Sequence, residues 1–357
     1  MSVTDEHRHK HGSVLSVEDE INQISMGRPH IVLLGAGASR QAFPRGDRNG
    51  YFLPVMTEFD RLPRLDALCR SAGIVLSGKN FEDVYSSIAE DPQKRELREE
   101  IEREVFAYFS RLSLPDTPTI YDHLIVSLRS KDFIATFNWD PFLIQALRRH
   151  PYLPEKPKLL FLHGNVLHGY CAKDDVHGMA GNSCSRCGIS LASDRLLFPI
   201  AQKDYETDPS IRASWNAMKR VMKQAFMFTV FGYGAPDSDR SAVDLLKNSW
   251  GSPHEKSIEQ TEIIDIRSEE ELEQRWRPFI HSHHYETHED FYDSWISKHP
   301  RRTGEAFWNQ YMDALFIPDN PLPSTGSLND LKQWLTPLLD AEQQAQSKLT
   351  KLNNETN

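Results

Sequence analysis

The sequence predicts an α/β fold, a mainly parallel sheet with helices on both faces. Three observations carry this. Short apolar runs recur without the alternation of a half-exposed strand, helical patterns separate them, and each run ends in small or polar residues. Strands buried on both faces and joined by helices call for a parallel sheet. Ligands of such sheets bind beyond the carboxyl ends of the strands, where the small and polar residues of this sequence fall.

Residues 1–28 form a polar tail with His7, His9 and His11, followed by Ser16, which can cap a short amphipathic helix. The first strand, HIVLL at 30–34, runs directly into Gly35-Ala36-Gly37-Ala38-Ser39. Residues 92–112 read as a helix with Ile101, Val105, Phe109 and Leu112 on one face, and 121–128 as another. A strand at 132–136 precedes a helix over 138–150, in which Pro141 suits the first turn. Further strands are expected at 158–162, 226–232 and 262–266. Beyond 267 the chain reads as mainly helical. Its last helix starts at Ser327, with Asp330 as reciprocal cap, carries Leu331, Trp334, Leu335, Leu338 and Leu339, and is kinked or interrupted at Pro337. The expected organisation is a tail (1–28), a sheet domain (29–267) and a C-terminal extension (268–357). Within the sheet domain lie a helical insertion at about 60–130 and a small metal-binding module at about 164–190.

Of 357 residues, 39% are hydrophobic and 26% charged, and the mean hydropathy is −0.55, which excludes a mostly disordered chain. A chain of this length buries roughly three quarters of its unfolded surface, so bulk stability needs no disulfide. The net charge is −10, and the 41 basic residues are scattered. Phosphate neutralisation needs clustered cations, so direct nucleic-acid binding is disfavoured. No apolar run approaches the roughly 18 residues of a membrane span. The opening MSVTDEHRHKHGSV lacks a signal peptide's apolar core, so a cytoplasmic location is expected. In a reducing compartment the clustering of Cys171, Cys184 and Cys187 points to metal before disulfide, while Cys69 stands apart.

Five constellations carry chemistry. Gly35-Ala36-Gly37 after a strand lets a backbone approach a pyrophosphate, or forms a tight turn with no ligand. Phe137-Asn138-Trp139-Asp140 delivers an amide and a carboxylate to a strand end. They can hold ribose hydroxyls or a water, or cap the next helix. His163 in Leu162-His163-Gly164-Asn165 can accept a proton near neutrality. His168-x-x-Cys171 followed by Cys184-x-x-Cys187 matches a four-ligand structural zinc site, with His177 as an alternative fourth ligand. Phe231-Gly232-Tyr233-Gly234-Ala235-Pro236-Asp237-Ser238-Asp239 is a second glycine turn that can close on an adenosine, or a plain turn before a helix. His281, His283, His284 and His288 lack ligand spacing and read as a polar segment.

Taken in order, GAGAS, TFNWD, LHGN, the metal pattern and the late glycine turn resemble the sirtuin (SIR2) superfamily over about residues 29–267. The resemblance implies a Rossmann-like domain with a small zinc-binding and helical module and NAD in the cleft between them. By the same resemblance Gly35, Ala36, Gly37 and Ser39 match the phosphate-binding turn, and Asn138 and Asp140 the residues on the nicotinamide-ribose side. His163 matches the catalytic base, Gly232 the turn near the adenosine ribose, and Asp265 the end of the last strand.

Two departures bear on activity. Deacylating sirtuins follow the glycine turn with a Pro-Asp-Phe-Arg stretch where this chain has Arg40 to Arg48, and they carry Gln where it has Phe137. The chain is instead similar to prokaryotic SIR2-like proteins of anti-phage defence that consume NAD. That similarity implies a gated NAD hydrolase, a homo-oligomer, and a separate ATPase or sensor partner. A deacylase and a non-catalytic module binding NAD or ADP-ribose are the alternatives.

Overall fold

The computed structural model describes residues 14–200, 204–236, 239–280 and 284–355. His7, His9, His11, Asp237, Ser238, His281 and His283 lie outside the described residues. Nine strands are described: β1 (His30–Leu34), β2 (Phe133–Thr136), β3 (Lys158–Phe161), β4 (His168–Cys171), β5 (Val176–Met179), β6 (Ala192–Ser193), β7 (Met227–Phe231), β8 (Gln260–Ile264) and β9 (Tyr285–His288). Six form one parallel sheet in the order β3-β2-β1-β7-β8-β9. The chain winds outward from β1 in one direction through β2 and β3, then returns to its other side for β7, β8 and β9. The strand order therefore reverses between β1 and β7.

Alternate residues of each strand feed two cores. Val32, Leu34, Ile134 and Phe161 join a core shared with the helices Phe81–Ala89, Arg95–Phe109 and Ile120–Ser127. Ile31, Leu33, Ala135, Leu160, Phe228 and Val230 join a second, with Trp215, Leu246, Trp250 and Trp276 from the helices Pro209–Gln224, Arg240–Trp250 and Glu269–Trp276. Both faces of the sheet are thus covered, and the apolar runs owe their lack of alternation to this. Helices from Pro63 to Ser127 separate β1 from β2 and wall one side of the sheet's carboxyl edge. The remaining strands form a separate antiparallel sheet in the order β5-β4-β6.

Three elements differ from expectation. β8 starts two residues earlier than read, because the polar Gln260, Thr261 and Glu262 are buried within the sheet. β9 adds a sixth strand from the segment read as mainly helical. Its residues, Tyr-Glu-Thr-His, are all half-exposed at the sheet edge and form no apolar run. The helix Leu328–Glu355 continues through Pro337 without interruption. Burial of Leu331, Leu335 and Leu338 on one side offsets the backbone hydrogen bond that proline forgoes.

Candidate functional site

The two glycine turns meet where the strand order reverses. Gly35 N donates to Phe231 O (3.0 Å) and Gly37 N to Gly232 O (2.9 Å). A Cβ at Gly35 would lie 2.5 Å from Tyr233 Cα, and one at Gly232, whose φ is +62°, 2.1 Å from Ala38 N. Backbone presses on backbone, and only glycine fits. The amides of Gly35 and Gly37 are thereby spent inside the protein, in place of the phosphate contact expected of them.

Above this contact opens a cavity of about 410 Å³, within the usual range for small-molecule sites. Gly35, Ala36, Gly37, Ser39, Asn138, Asp140, His163, Gly232 and Asp265 all line it, so every residue the sequence assigned to catalysis or to NAD faces one space. Phe59, Glu82 and Phe109 close it from the helical insertion, and Tyr233, Ile266 and Arg267 from the sheet.

Its floor is a saturated polar network. Ser39 Oγ donates to Asp140 Oδ2 (2.7 Å), contacts Tyr121 Oη (2.6 Å), and accepts from Asn138 Nδ2 (3.0 Å). With one hydrogen and two lone pairs engaged, Ser39 orients its neighbours and has nothing left for a ligand. Asn138 Nδ2 also donates to Gly35 O (2.9 Å), which spends both amide hydrogens. What Asn138 can offer the cavity is therefore its acceptor, Oδ1. Burial pushes the Asp140 carboxyl up to about 6, against the opposing hydrogen bonds from Ser39 and the Phe142 amide.

His163 stands at the end of β3 in an aromatic wall. Its ring lies 4.5 Å from Phe137 and stacks at 6.1 Å on Tyr205, while Phe137 packs 4.4 Å from Tyr233. Gly164, with φ +76°, turns the chain past Arg195 O, where a Cβ would come within 2.2 Å. Asn165 Nδ2 then donates to Asp140 O (2.5 Å). The LHGN motif thus supplies one cavity residue, one obligatory glycine and one clamp on the Asn138–Asp140 loop.

At the opposite end, Asp265 is held by Arg267 through Nε (3.0 Å) and Nη2 (2.7 Å). Arg267 Nη1 also donates to Gly234 O (3.3 Å). Sequence reasoning missed Arg267, although its position two residues after Asp265 puts it at the same strand end. Glu82 was missed as well, because the insertion that carries it has no motif.

The metal pattern needs correction at its fourth member. Cys171, Cys184, Cys187 and Asp174 bring their ligand atoms within 4.8 Å of one another. Cys171 Sγ and Cys187 Sγ are 3.6 Å apart, and Asp174 Oδ2 lies 3.4 Å from Cys184 Sγ and 3.7 Å from Cys171 Sγ. A tetrahedral ion with metal–sulfur bonds of about 2.3 Å requires sulfurs about 3.8 Å apart, so these groups fit one. His168 faces away. Its Nδ1 bonds the Asp194 carboxylate (2.9 Å) and its Nε2 meets His177 Nδ1 (3.1 Å).

No family model matches this sequence, and no curated protein matches it. Among solved structures, the chain is similar to a Sir2 homologue in complex with NAD, at 16% identity and a TM-score of 0.35, covering 84% of this chain and 98% of that one. It is similar to a second Sir2 enzyme structure at 12% identity and a TM-score of 0.39, covering 81% and 99%. A third, Sir2 bound to acetylated peptide, has 15% identity and a TM-score of 0.30, covering 68% and 82%.

Proposed function

We propose that the cavity binds NAD and hydrolyses its ribosyl–nicotinamide bond, giving ADP-ribose and nicotinamide. The observation that carries this reading is the convergence of Asn138, His163 and both glycine turns on one cavity at the reversal of strand order. That bond breaks with oxocarbenium character, so the site must orient the ribose and supply water on the opposite face. Asn138 Oδ1 accepts from a ribose hydroxyl or holds the water, and His163 takes the proton released. Base assistance of this kind is worth about 10²–10⁴-fold. Ser39 and Asp140 position Asn138. Gly35, Ala36, Gly37 and Gly232 form the close-packed backbone wall along which the pyrophosphate lies, and Asp265 with Arg267 bounds the adenosine end.

Zinc held by Cys171, Asp174, Cys184 and Cys187 would be structural, since four protein donors leave no open position. Unrestrained NAD hydrolysis harms the cell that carries it. The reading therefore makes the chain a gated effector, of the kind the sequence resemblance associates with anti-phage defence.

The test is nicotinamide release from NAD by wild type, Asn138→Ala and His163→Ala, with and without an acyl-lysine peptide. Peptide-independent release that falls about a hundredfold or more in both variants, with thermal unfolding still cooperative, is the expected result. Release only with peptide would make the protein a deacylase. Undiminished release in both variants would overturn the assignment.

A further inference from the structure

Tyr121 stands in the first turn of the helix Ile120–Ser127 and is fully buried. That helix is pinned where it begins. Thr119 N and Oγ1 each donate to Asp122 Oδ2 (2.7 Å), and the same carboxylate is held by Arg149 and by His150 Nε2 (2.8 Å). The tyrosine ring lies 6.0 Å from Phe43, which ends the helix carrying Ser39, and 5.3 Å from Phe142, which follows the Asn138–Asp140 loop. Its hydroxyl is thereby carried to a defined place, 2.6 Å from Ser39 Oγ.

Proton counting gives that contact a direction. Ser39 has a single hydroxyl hydrogen, and it goes to Asp140 Oδ2 (2.7 Å). In the contact with Tyr121 the serine can therefore only accept, so Tyr121 is the donor. Burial, and after it the Asp140 charge, holds the tyrosine hydroxyl well above its ordinary value, which keeps the donated hydrogen in place. Of the two lone pairs on Ser39 Oγ, one is then taken by Tyr121 and the other by Asn138 Nδ2 (3.0 Å). Asn138 gives its second amide hydrogen to Gly35 O (2.9 Å). Ser39, Asn138 and Asp140 belong to the first glycine turn and the end of β2, whereas Tyr121 is the partner that the helical insertion brings to them.

We propose that Tyr121 is a positioning residue for the reaction. By donating to Ser39 it leaves that side chain one hydrogen for Asp140 and one lone pair for Asn138, and so keeps Asn138 Oδ1 as the acceptor turned toward substrate. The inference rests on the dinucleotide reading above for the identity of that substrate. The order of the hydrogen bonds stands without it.

Two measurements test this. Tyr121→Phe removes the hydroxyl and keeps the ring that packs on Phe43 and Phe142. In protein labelled with ¹⁵N on asparagine, the Asn138 side-chain amide is assigned by its absence from Asn138→Ala. Its hydrogens should exchange about tenfold faster in Tyr121→Phe than in wild type, while the backbone amides of β1 and β2 keep their rates. Unchanged exchange at Asn138 would overturn the inference. The second measurement is nicotinamide release from NAD by wild type, Tyr121→Phe, Ser39→Ala and the double variant. kcat/KM should fall about tenfold in Tyr121→Phe, and the double variant should lose no more than Ser39→Ala alone, because Tyr121 acts through Ser39. Losses that multiply in the double variant would make Tyr121 part of the scaffold and overturn its assigned role. A wild type that leaves NAD intact, with the exchange difference present, would fault the dinucleotide reading and uphold the hold of Tyr121 on Asn138.

Discussion

Asp140 is a carboxyl group kept where its charge is costly. Burial raises it to about 6, and its contacts to Ser39 and the Phe142 amide recover only part of that cost. A folded-state value above the unfolded one means that the native protein holds the proton more tightly. The stability this confers is present below the ordinary carboxyl value, falls as pH rises through about 4 to 6, and is absent above. An upward shift of this size corresponds to about 3 kcal/mol. Asp140→Asn removes the titration. Its unfolding free energy relative to wild type should therefore climb by up to about 3 kcal/mol across that window and then level off. Denaturant unfolding of both proteins at a series of pH values tests this, and parallel curves would refute it. The sequence marked Asp140 as a possible ribose ligand or helix cap. What it could not reveal is that Tyr121, Phe142 and Phe43 pack ring on ring beside the Ser39 that bonds this carboxyl, since those neighbours come from three separate elements.

At the scale of elements, the long apolar runs were legible because burial on both faces leaves a one-dimensional mark. β9 and the start of β8 were not, because polar residues paired within a sheet leave none. The metal module shows a different limit. Spacing alone makes His168-x-x-Cys171 look like a ligand pair on a turn, but both residues lie in β4. Residues three apart on a strand point to opposite faces, so His168 cannot join Cys171. The turn between β4 and β5, where Asp175 has φ +53°, brings Asp174 back to the sulfurs instead. The module's own core is only Cys171, Cys184 and Leu191 with partly buried Val176 and Cys187, too small to order the three strands unaided. The protein should therefore hold one zinc per chain. Asp174→Ala should weaken zinc binding by about tenfold or more, while His168→Ala leaves the stoichiometry intact. Chelation should expose residues 171–191 to protease before the main sheet unfolds. Metal loss in His168→Ala but not in Asp174→Ala would restore the ligand set read from spacing.

At the scale of the whole molecule, the cavity is assembled from segments far apart in sequence, and the terminal helices brace the layer that walls it. Arg301 and Arg302 lie at 2% and 0% exposure, and both bond Glu342 of the last helix. Arg301 also donates to Val126 O and Leu128 O, where the insertion's last helix ends, and Arg302 to Ile21 O of the helix Val17–Asn22. One carboxylate thereby secures three remote segments, and it holds Arg301 at φ +65°, a costly conformation for a residue with a side chain. Burial alone would raise the Glu342 carboxyl, but the two guanidinium groups outweigh it and hold it below its ordinary value. The apolar stripe of this helix, Leu331, Leu335 and Leu338, is spent on the protein's own core, so association through that stripe would require undocking. Glu342→Ala strands two buried cations, and removing one partner of a buried pair costs about 3–5 kcal/mol. Amide hydrogen exchange should then rise together in residues 17–22, 120–128 and 328–342, with β1 and β7 still protected. A rise confined to the last helix would mean that the two arginines hold the other segments without Glu342, and the clamp would not be the brace argued for it.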